Sequence, residues 1–366
     1  MGFKCGIIGL PNVGKSTLFN ALTESMKAAA ANYPFATINP NIGRVAVPDN
    51  RLNKIGEIGK SDKIIPAYMD FVDIAGLVKG ASKGEGLGNK FLAHIREVDA
   101  IAHVVRCFKD KNITHVSSVI NPINDIETIT TELQLADIEI LQSKQTSLKK
   151  KGKQGGIEIK NHLSIIEKML KNLNQEYQLK KNHFNADDLE FLNSLNLISL
   201  KPILYICNVD EKSIIHGNDL SKLVQEKANK NNQNCVIVSA SIESQFVELK
   251  YDSDKIQLLK ELGINNTTLK KVINSGYKLL DLINYFTCKP KETKSWTIKK
   301  NTLAPQAAGK IHSDFEKGFI RAETISYNDF IRFKGESSCR EIGKLRQEGK
   351  DYKVKDGDII NFLFNI

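Results

Sequence analysis

Residues 9–17 read Gly-Leu-Pro-Asn-Val-Gly-Lys-Ser-Thr, the pattern G-x-x-x-x-G-K-[ST] placed after an apolar run and at the start of a helical one. That spacing serves the binding of a nucleoside triphosphate. Glycines let successive backbone N–H groups turn toward one point, and a helix opening at Lys15 adds its positive end to the anion nest. Such a loop is expected to wrap the phosphates with its backbone. Lys15 reaches the β- and γ-phosphates and counts as a catalytic cation, while the Ser16 hydroxyl ligates Mg²⁺. Further on, Asp73-Ile74-Ala75-Gly76 closes the apolar run 68–72. Asp73 is expected to hold Mg²⁺ through water, and Gly76 to offer its N–H to the γ-phosphate. Thr37, in the turn-rich stretch 33–40, is expected to complete the Mg²⁺ shell, since hard cations prefer oxygen ligands.

The base is read elsewhere. Guanine-specific sites of this kind use N-K-x-D, whose aspartate accepts from guanine N1–H and N2–H₂. Here the apolar run 202–207 ends in Asn208-Val209-Asp210-Glu211, so Glu211 stands at the aspartate position and Val209 at the lysine position. Ser239-Ala240-Ser241 resembles the loop that closes over a base. Ser239 and Ala240 are the expected base contacts from that loop, and ATP is favoured over GTP, although Asp210 leaves the register of the motif open. After Gly76 comes Leu77, where Ras-like enzymes have a water-orienting glutamine. Hydrolysis should then be slow, with water oriented by His94, His103, His115, a monovalent cation such as K⁺ near Asn12, or a partner.

The elements that must position these residues are visible as periodicity. Short apolar runs at 3–9, 42–47, 68–74, 100–108, 202–207 and 235–239 alternate with helical patterns such as 15–22, 87–98 and 220–229. This predicts an α/β fold with a mostly parallel sheet covered by helices on both faces. The regularity breaks between 123 and 200, where two long amphipathic patterns flank the basic turn 149–156 and predict an inserted helical arm. From Trp296 onward, short β-like runs with turn signals predict a small α+β module. Among the six cysteines, Cys5, Cys107, Cys207 and Cys235 lie in apolar runs and read as buried thiols. Cys288 and Cys339 lie in more polar surroundings, as redox-sensitive or inert surface thiols. The net charge of +10 predicts either attraction to a polyanion such as the ribosome, or only a lysine-rich surface. No apolar run is long enough for a bilayer, and a signal peptide would overlap the phosphate loop, so a cytoplasmic protein is expected.

At residues 9–17, 32–41, 73–91, 208–211 and 304–323 the chain resembles the YchF subfamily of Obg-related P-loop NTPases along essentially its whole length. The glycines at 80, 84, 86 and 88 match the Obg-type second switch, and N-x-x-E separates this subfamily from its GTP-specific relatives. The resemblance implies a discontinuous G domain (1–122 and 201–282), a coiled-coil arm (123–200) and a C-terminal TGS domain of β-grasp fold (283–366). It also implies ATP as substrate, Mg²⁺, phosphate contacts from Asn12, Val13, Gly14, Lys15, Ser16 and Thr17, base contacts from Asn208, Val209 and Glu211, and His115 as the candidate catalytic histidine. The implied partner is the ribosome, through the large subunit or both, with an rRNA contact and a monomeric protein. Residues 142–182 depart most from the family pattern. A nucleotide-controlled switch on the ribosome is the expected function. The alternatives are a GTPase translation factor and a non-catalytic module that binds a stress-related protein partner in an ATP-dependent way.

Overall fold

The computed structural model describes residues 3–30, 41–74, 87–114, 119–151, 156–174, 184–249, 251–264 and 267–365. The chain begins with β1 (Phe3–Ile8), α1 (Lys15–Ala30), β2 (Ile42–Ala46), α2 (Asn50–Gly59), β3 (Ile64–Ile65), β4 (Tyr68–Asp73), α3 (Leu87–Arg96) and β5 (Ala100–Arg106). Then follow α4 (Pro122–Lys151), α5 (Ile157–Asn174), α6 (Ala186–Ser194), β6 (Ile203–Asn208), α7 (Asp219–Lys230), β7 (Asn234–Val238), α8 (Ala240–Glu248), α9 (Asp252–Glu261) and α10 (Thr268–Leu279). The C-terminal part holds β8 (Leu282–Cys288), β9 (Thr293–Lys299), α11 (Ala304–Gly309), α12 (Ser313–Lys317) and β10 (Phe319–Ile325). It ends with α13 (Tyr327–Arg332), α14 (Glu336–Glu341), β11 (Arg346–Glu348) and β12 (Ile359–Phe364). Among the described residues, no helix is long and apolar enough to cross a membrane. Two compact units result, one of Lys4–Gly43 and Phe71–Val272, the other of Met1–Phe3, Arg44–Asp70 and Ile273–Ile366.

The larger unit is built on a sheet in the order β2-β4-β1-β5-β6-β7. Parallel pairing runs Ile7↔Ala102, Ala102↔Leu204 and Leu204↔Asn234. Every residue of β5 is buried, which is why its sequence is a nearly continuous apolar run: parallel sheets carry helices on both faces. Sequence order reverses at β1, and ligands of open α/β sheets gather beyond the carboxyl ends of the strands at such a switch point. The phosphate loop, Asp73 and Asn208 all follow or end strands at that edge.

Helices α4 and α5 form the arm, packed through Leu141, Leu148, Ile165, Ile166 and Met169, with Phe191 and Leu192 of α6 closing its base. Lys149, Lys150 and Lys151 end α4 exposed; the rest of the expected basic turn, 152–155, lies outside the described residues. The root of the arm is polar. Asp137, fully buried, accepts from Arg96 Nη1 at 3.0 Å, Ile198 N at 3.1 Å and Ser199 N at 2.7 Å. Arg96 also donates to the Ala136 and Asn196 carbonyls, so the buried carboxylate is paired and fully bonded, the condition for tolerating it there.

The smaller unit holds a mixed sheet in the order β11-β10-β12-β8-β9-β3. One core gathers Tyr285, Phe319, Ile360 and Phe362 with Trp296 and Phe315 packed against it, as expected for the aromatic residues of a small module. Another gathers Leu52, Ile55, Phe286, Ile325, Phe330 and Cys339. The contribution of residues 44–70 differs from a module that begins at 283. β3 pairs in parallel with β9 (Ile64↔Thr293), and α2 supplies Leu52 and Ile55 to the core. Arg51 bridges Asp49 and Asp356, which holds its guanidinium pKa above its usual range. The expected polar setting of Cys339 is corrected here. It is buried, with its thiol pushed up first by desolvation, because α14 turns it inward beneath the apolar residues of α13. Cys288 is half-buried, its thiol likewise raised by burial.

Candidate nucleotide site

The phosphate loop runs from β1 into α1 through three constrained positions. A Cβ on Gly9 would lie 2.7 Å from the Val104 carbonyl oxygen, so only glycine lets the loop pass this close to β5. Asn12 takes a positive φ of 61°, a region that asparagine tolerates better than most residues. Gly14, at φ +89°, would bring a Cβ to 2.2 Å from Asn208 Nδ2. Val13 is buried while Ser16 and Thr17 are exposed on the first turn of α1. The Lys15 ammonium forms an ion pair with the Asp73 carboxylate, both partly buried. Asp73 is itself placed by its N–H to the Asn41 carbonyl (2.9 Å), and the next residue by Ile74 N–H to Ile7 (3.2 Å). The Ser16 hydroxyl and Asp73 carboxylate are all-oxygen donors on adjoining elements, a set that fits Mg²⁺. Thr37, Gly76 and His115 lie outside the described residues, as do Leu77 and the glycines at 80, 84 and 86.

On the base side, Asn208 is a brace. Its Nδ2 donates to the Val13 carbonyl at 2.8 Å and its Oδ1 accepts from Ala240 N–H at 2.9 Å, tying the phosphate loop to the start of α8. Val209, expected beside the base, turns into the core with Val105, Tyr205 and Val224 and is 3% exposed. Its N–H goes to the Val238 carbonyl at 2.8 Å. Asp210 uses its carboxylate as a local cap on Ser213 N–H at 3.0 Å. Glu211 is exposed, with Oε1 accepting from Ser241 Oγ at 2.8 Å and Gln245 Nε2 at 3.0 Å. Ser239 is fully buried, and its hydroxyl has no hydrogen-bond partner among the described residues.

Of the other histidines, His94 is exposed on α3. His103 sits on β5 with its ring 5.6 Å from Tyr205, and desolvation pushes its pKa down to about 3. At 3% exposure the His103 ring lies inside the sheet and not toward solvent. The sequence reading also missed Arg106. It is fully buried, yet its guanidinium donates to the carbonyls of Phe108, Asp110 and Ile113 and lies over the Phe108 ring. The loop so gripped reaches Thr114, whose carbonyl accepts from Asn12 Nδ2 at 3.2 Å. An arginine closing a strand that is apolar apart from His103 was the available signal. Gln245 was missed too; its spacing of four from Ser241 on one helix was the clue.

Two family models match parts of the chain: residues 4–145 match a 50S ribosome-binding GTPase. Residues 282–365 match the C-terminal model of YchF GTPases, described as a protein of unknown function. The chain is 52% identical over 366 residues, all of both proteins, to the ribosome-binding ATPase YchF of Escherichia coli O157:H7. It is 48% identical over 368 residues to the protein of the same name from Bacillus subtilis, again covering both fully. Among solved structures, the Schizosaccharomyces pombe YchF GTPase superposes with a TM-score of 0.89 at 39% identity, over 99% of this chain and 98% of that one. The relatives' names divide between ATPase and GTPase, but the shared length, the fold and the phosphate loop agree: the chain belongs to the YchF family of P-loop NTPases.

Proposed function

We propose that this protein is a slow, Mg²⁺-dependent ATPase that works as a nucleotide-controlled switch on the ribosome. The observation that carries the base preference is the sequence Asn208–Glu211 and its placement. Asn208 ties the phosphate loop to α8, Val209 is withdrawn into the core, and an exposed glutamate, one methylene longer than the guanine-reading aspartate, takes the fourth position. The backbone of residues 12–17 and the Lys15 ammonium cradle the β- and γ-phosphates. Ser16 and Thr37, with Asp73 through water, would hold Mg²⁺, which supplies neutralisation of phosphate charge. The γ-phosphate would be sensed by Thr37 and by the Gly76 N–H. Leu77 brings no hydrogen-bonding group to the attacking water, so turnover is slow unless His115, a K⁺ ion near Asn12, or the ribosome orients it.

The names of the relatives and the net charge of +10 support a ribosomal partner; the proposed contact is with the large subunit or both, including rRNA, and the protein is proposed to act in the cytoplasm as a monomer. The C-terminal unit is read as a TGS domain and α4–α6 as a partner-facing arm. One observation favours a second reading, a GTPase: the solved relative carries that name. Calorimetric binding of Mg²⁺-ATP and Mg²⁺-GTP to wild type and to Glu211→Asp separates the two. Tighter ATP binding by wild type, shifting toward GTP in the variant, supports the ATPase; tighter GTP binding by wild type overturns it. Co-sedimentation with ribosomes tests the switch, which fails if ADP and a non-hydrolysable ATP analogue give equal binding.

A further inference from the structure

Among the described residues, both side-chain hydrogen bonds to Glu211 fall on one of its two carboxylate oxygens. Ser241 Oγ and Gln245 Nε2 each donate to Oε1, at 2.8 and 3.0 Å. The two donors lie four residues apart on α8, hence on one helical face. The first residue of that helix is bonded to Asn208 through Ala240 N–H, so the donors and the strand end that carries Glu211 belong to one braced assembly. A carboxylate offers about four lone-pair sites, two on each oxygen. With Oε1 filled by two donors, Oε2 is the oxygen left for a ligand.

The two purines ask different things of such a group. Guanine presents N1–H and N2–H₂ side by side and binds a carboxylate through both oxygens. Adenine presents one donor group, N6–H₂, and needs one oxygen. We propose that Ser241 and Gln245 are positioning residues that set the base preference by occupying one oxygen of Glu211, which turns a two-oxygen guanine clamp into a single-acceptor adenine reader. The inference rests on the reading of residues 208–211 as the base-facing segment. It assigns the discrimination to the grip from α8 as well as to the extra methylene of glutamate.

The test is calorimetric titration of the full chain with Mg²⁺-ATP and Mg²⁺-GTP, with thermal melts to confirm folding. The variants are Ser241→Ala, Gln245→Leu, the two combined, and Glu211→Ala with and without the pair. Freeing Oε1 is expected to raise GTP affinity relative to ATP by about tenfold in the combined variant, the scale of one hydrogen bond to a charged group. Each single change should give part of that shift, and the pair should shift nothing once Glu211 is alanine. An unmoved GTP/ATP ratio in variants that bind ATP overturns this inference and leaves the nucleotide assignment standing. Equal loss of both nucleotides also overturns it, because the pair would then hold the loop and not the carboxylate. Wild type that binds neither nucleotide, or prefers GTP, overturns the proposed ATPase itself and the inference with it.

Discussion

Replacing Asn208 by alanine should damage stability and nucleotide binding together. The side chain is 5% exposed and makes two bonds, to the Val13 carbonyl at 2.8 Å and from the Ala240 N–H at 2.9 Å. Val13 and Ala240 are themselves buried, so water does not take the place of the lost amide. Each stranded backbone group costs about 1–3 kcal/mol, giving a destabilisation of roughly 2–6 kcal/mol for the pair. The two stranded groups lie on the phosphate loop and on the loop expected over the base, so ATP affinity falls as well. Asn208→Asp keeps an acceptor for Ala240 but sets an oxygen against the Val13 carbonyl, and should be no better. Urea unfolding followed by far-UV circular dichroism reads the helix-rich larger unit, while Trp296 fluorescence reads the smaller one. A destabilisation below about 0.5 kcal/mol, within the range of an ordinary surface substitution, with unchanged ATP affinity would refute the brace.

Three further outcomes are expected. Gly14→Ala, forced to φ +89° with its Cβ 2.2 Å from Asn208 Nδ2, should weaken ATP binding by roughly 10- to 100-fold, the scale of local backbone strain, measured by calorimetry. Asp137→Ala removes the buried partner of Arg96 at the root of the arm and should cost about 3–5 kcal/mol in urea unfolding. An effect under 1 kcal/mol would show that the arm is held by its apolar contacts alone. His103 stays neutral in the folded protein down to about pH 3, against an ordinary value of 6.5. Between those limits only the unfolded chain takes up the proton, so stability falls on acidification by up to about 1.4 kcal/mol per pH unit. His103→Leu should flatten the wild-type slope of unfolding free energy between pH 6.5 and 5; an unchanged slope would refute the assignment.

The phosphate loop and the central strands were legible in the sequence because local pattern dictates them: glycines at fixed offsets, and buried strands that are apolar throughout. The two arm helices were equally plain in the helical runs before and after residues 149–156. What escaped notice was long-range. Nothing in Ile64–Ile65 announces a strand, since two residues carry no period, and its partner β9 lies far along the chain. Cys339 looked exposed because its immediate neighbours are polar, while burial depends on which face α14 turns inward. Asn208 was recognised by type but assigned to the base, whereas its Nδ2 and Oδ1 hold two backbone groups that no linear motif names. Val209 was read from its place in a tetrapeptide, yet an aliphatic residue at a strand end goes to the core when the core has room for it.

The union of residues 44–70 with the C-terminal sheet sets a timetable for biosynthesis. Arg51 and Asp356, joined by their ion pair, are 305 residues apart. At the usual pace of about 5–20 residues per second, a ribosome takes roughly 15–60 s to make the second after the first. Leu52 and Ile55 leave the exit tunnel well before Phe286, Ile325 and Phe330, the apolar partners that cover them in the finished protein, have been made. The smaller unit therefore cannot be completed co-translationally from its N-terminal piece. A chain truncated before β8 would keep the apolar side of that piece uncovered.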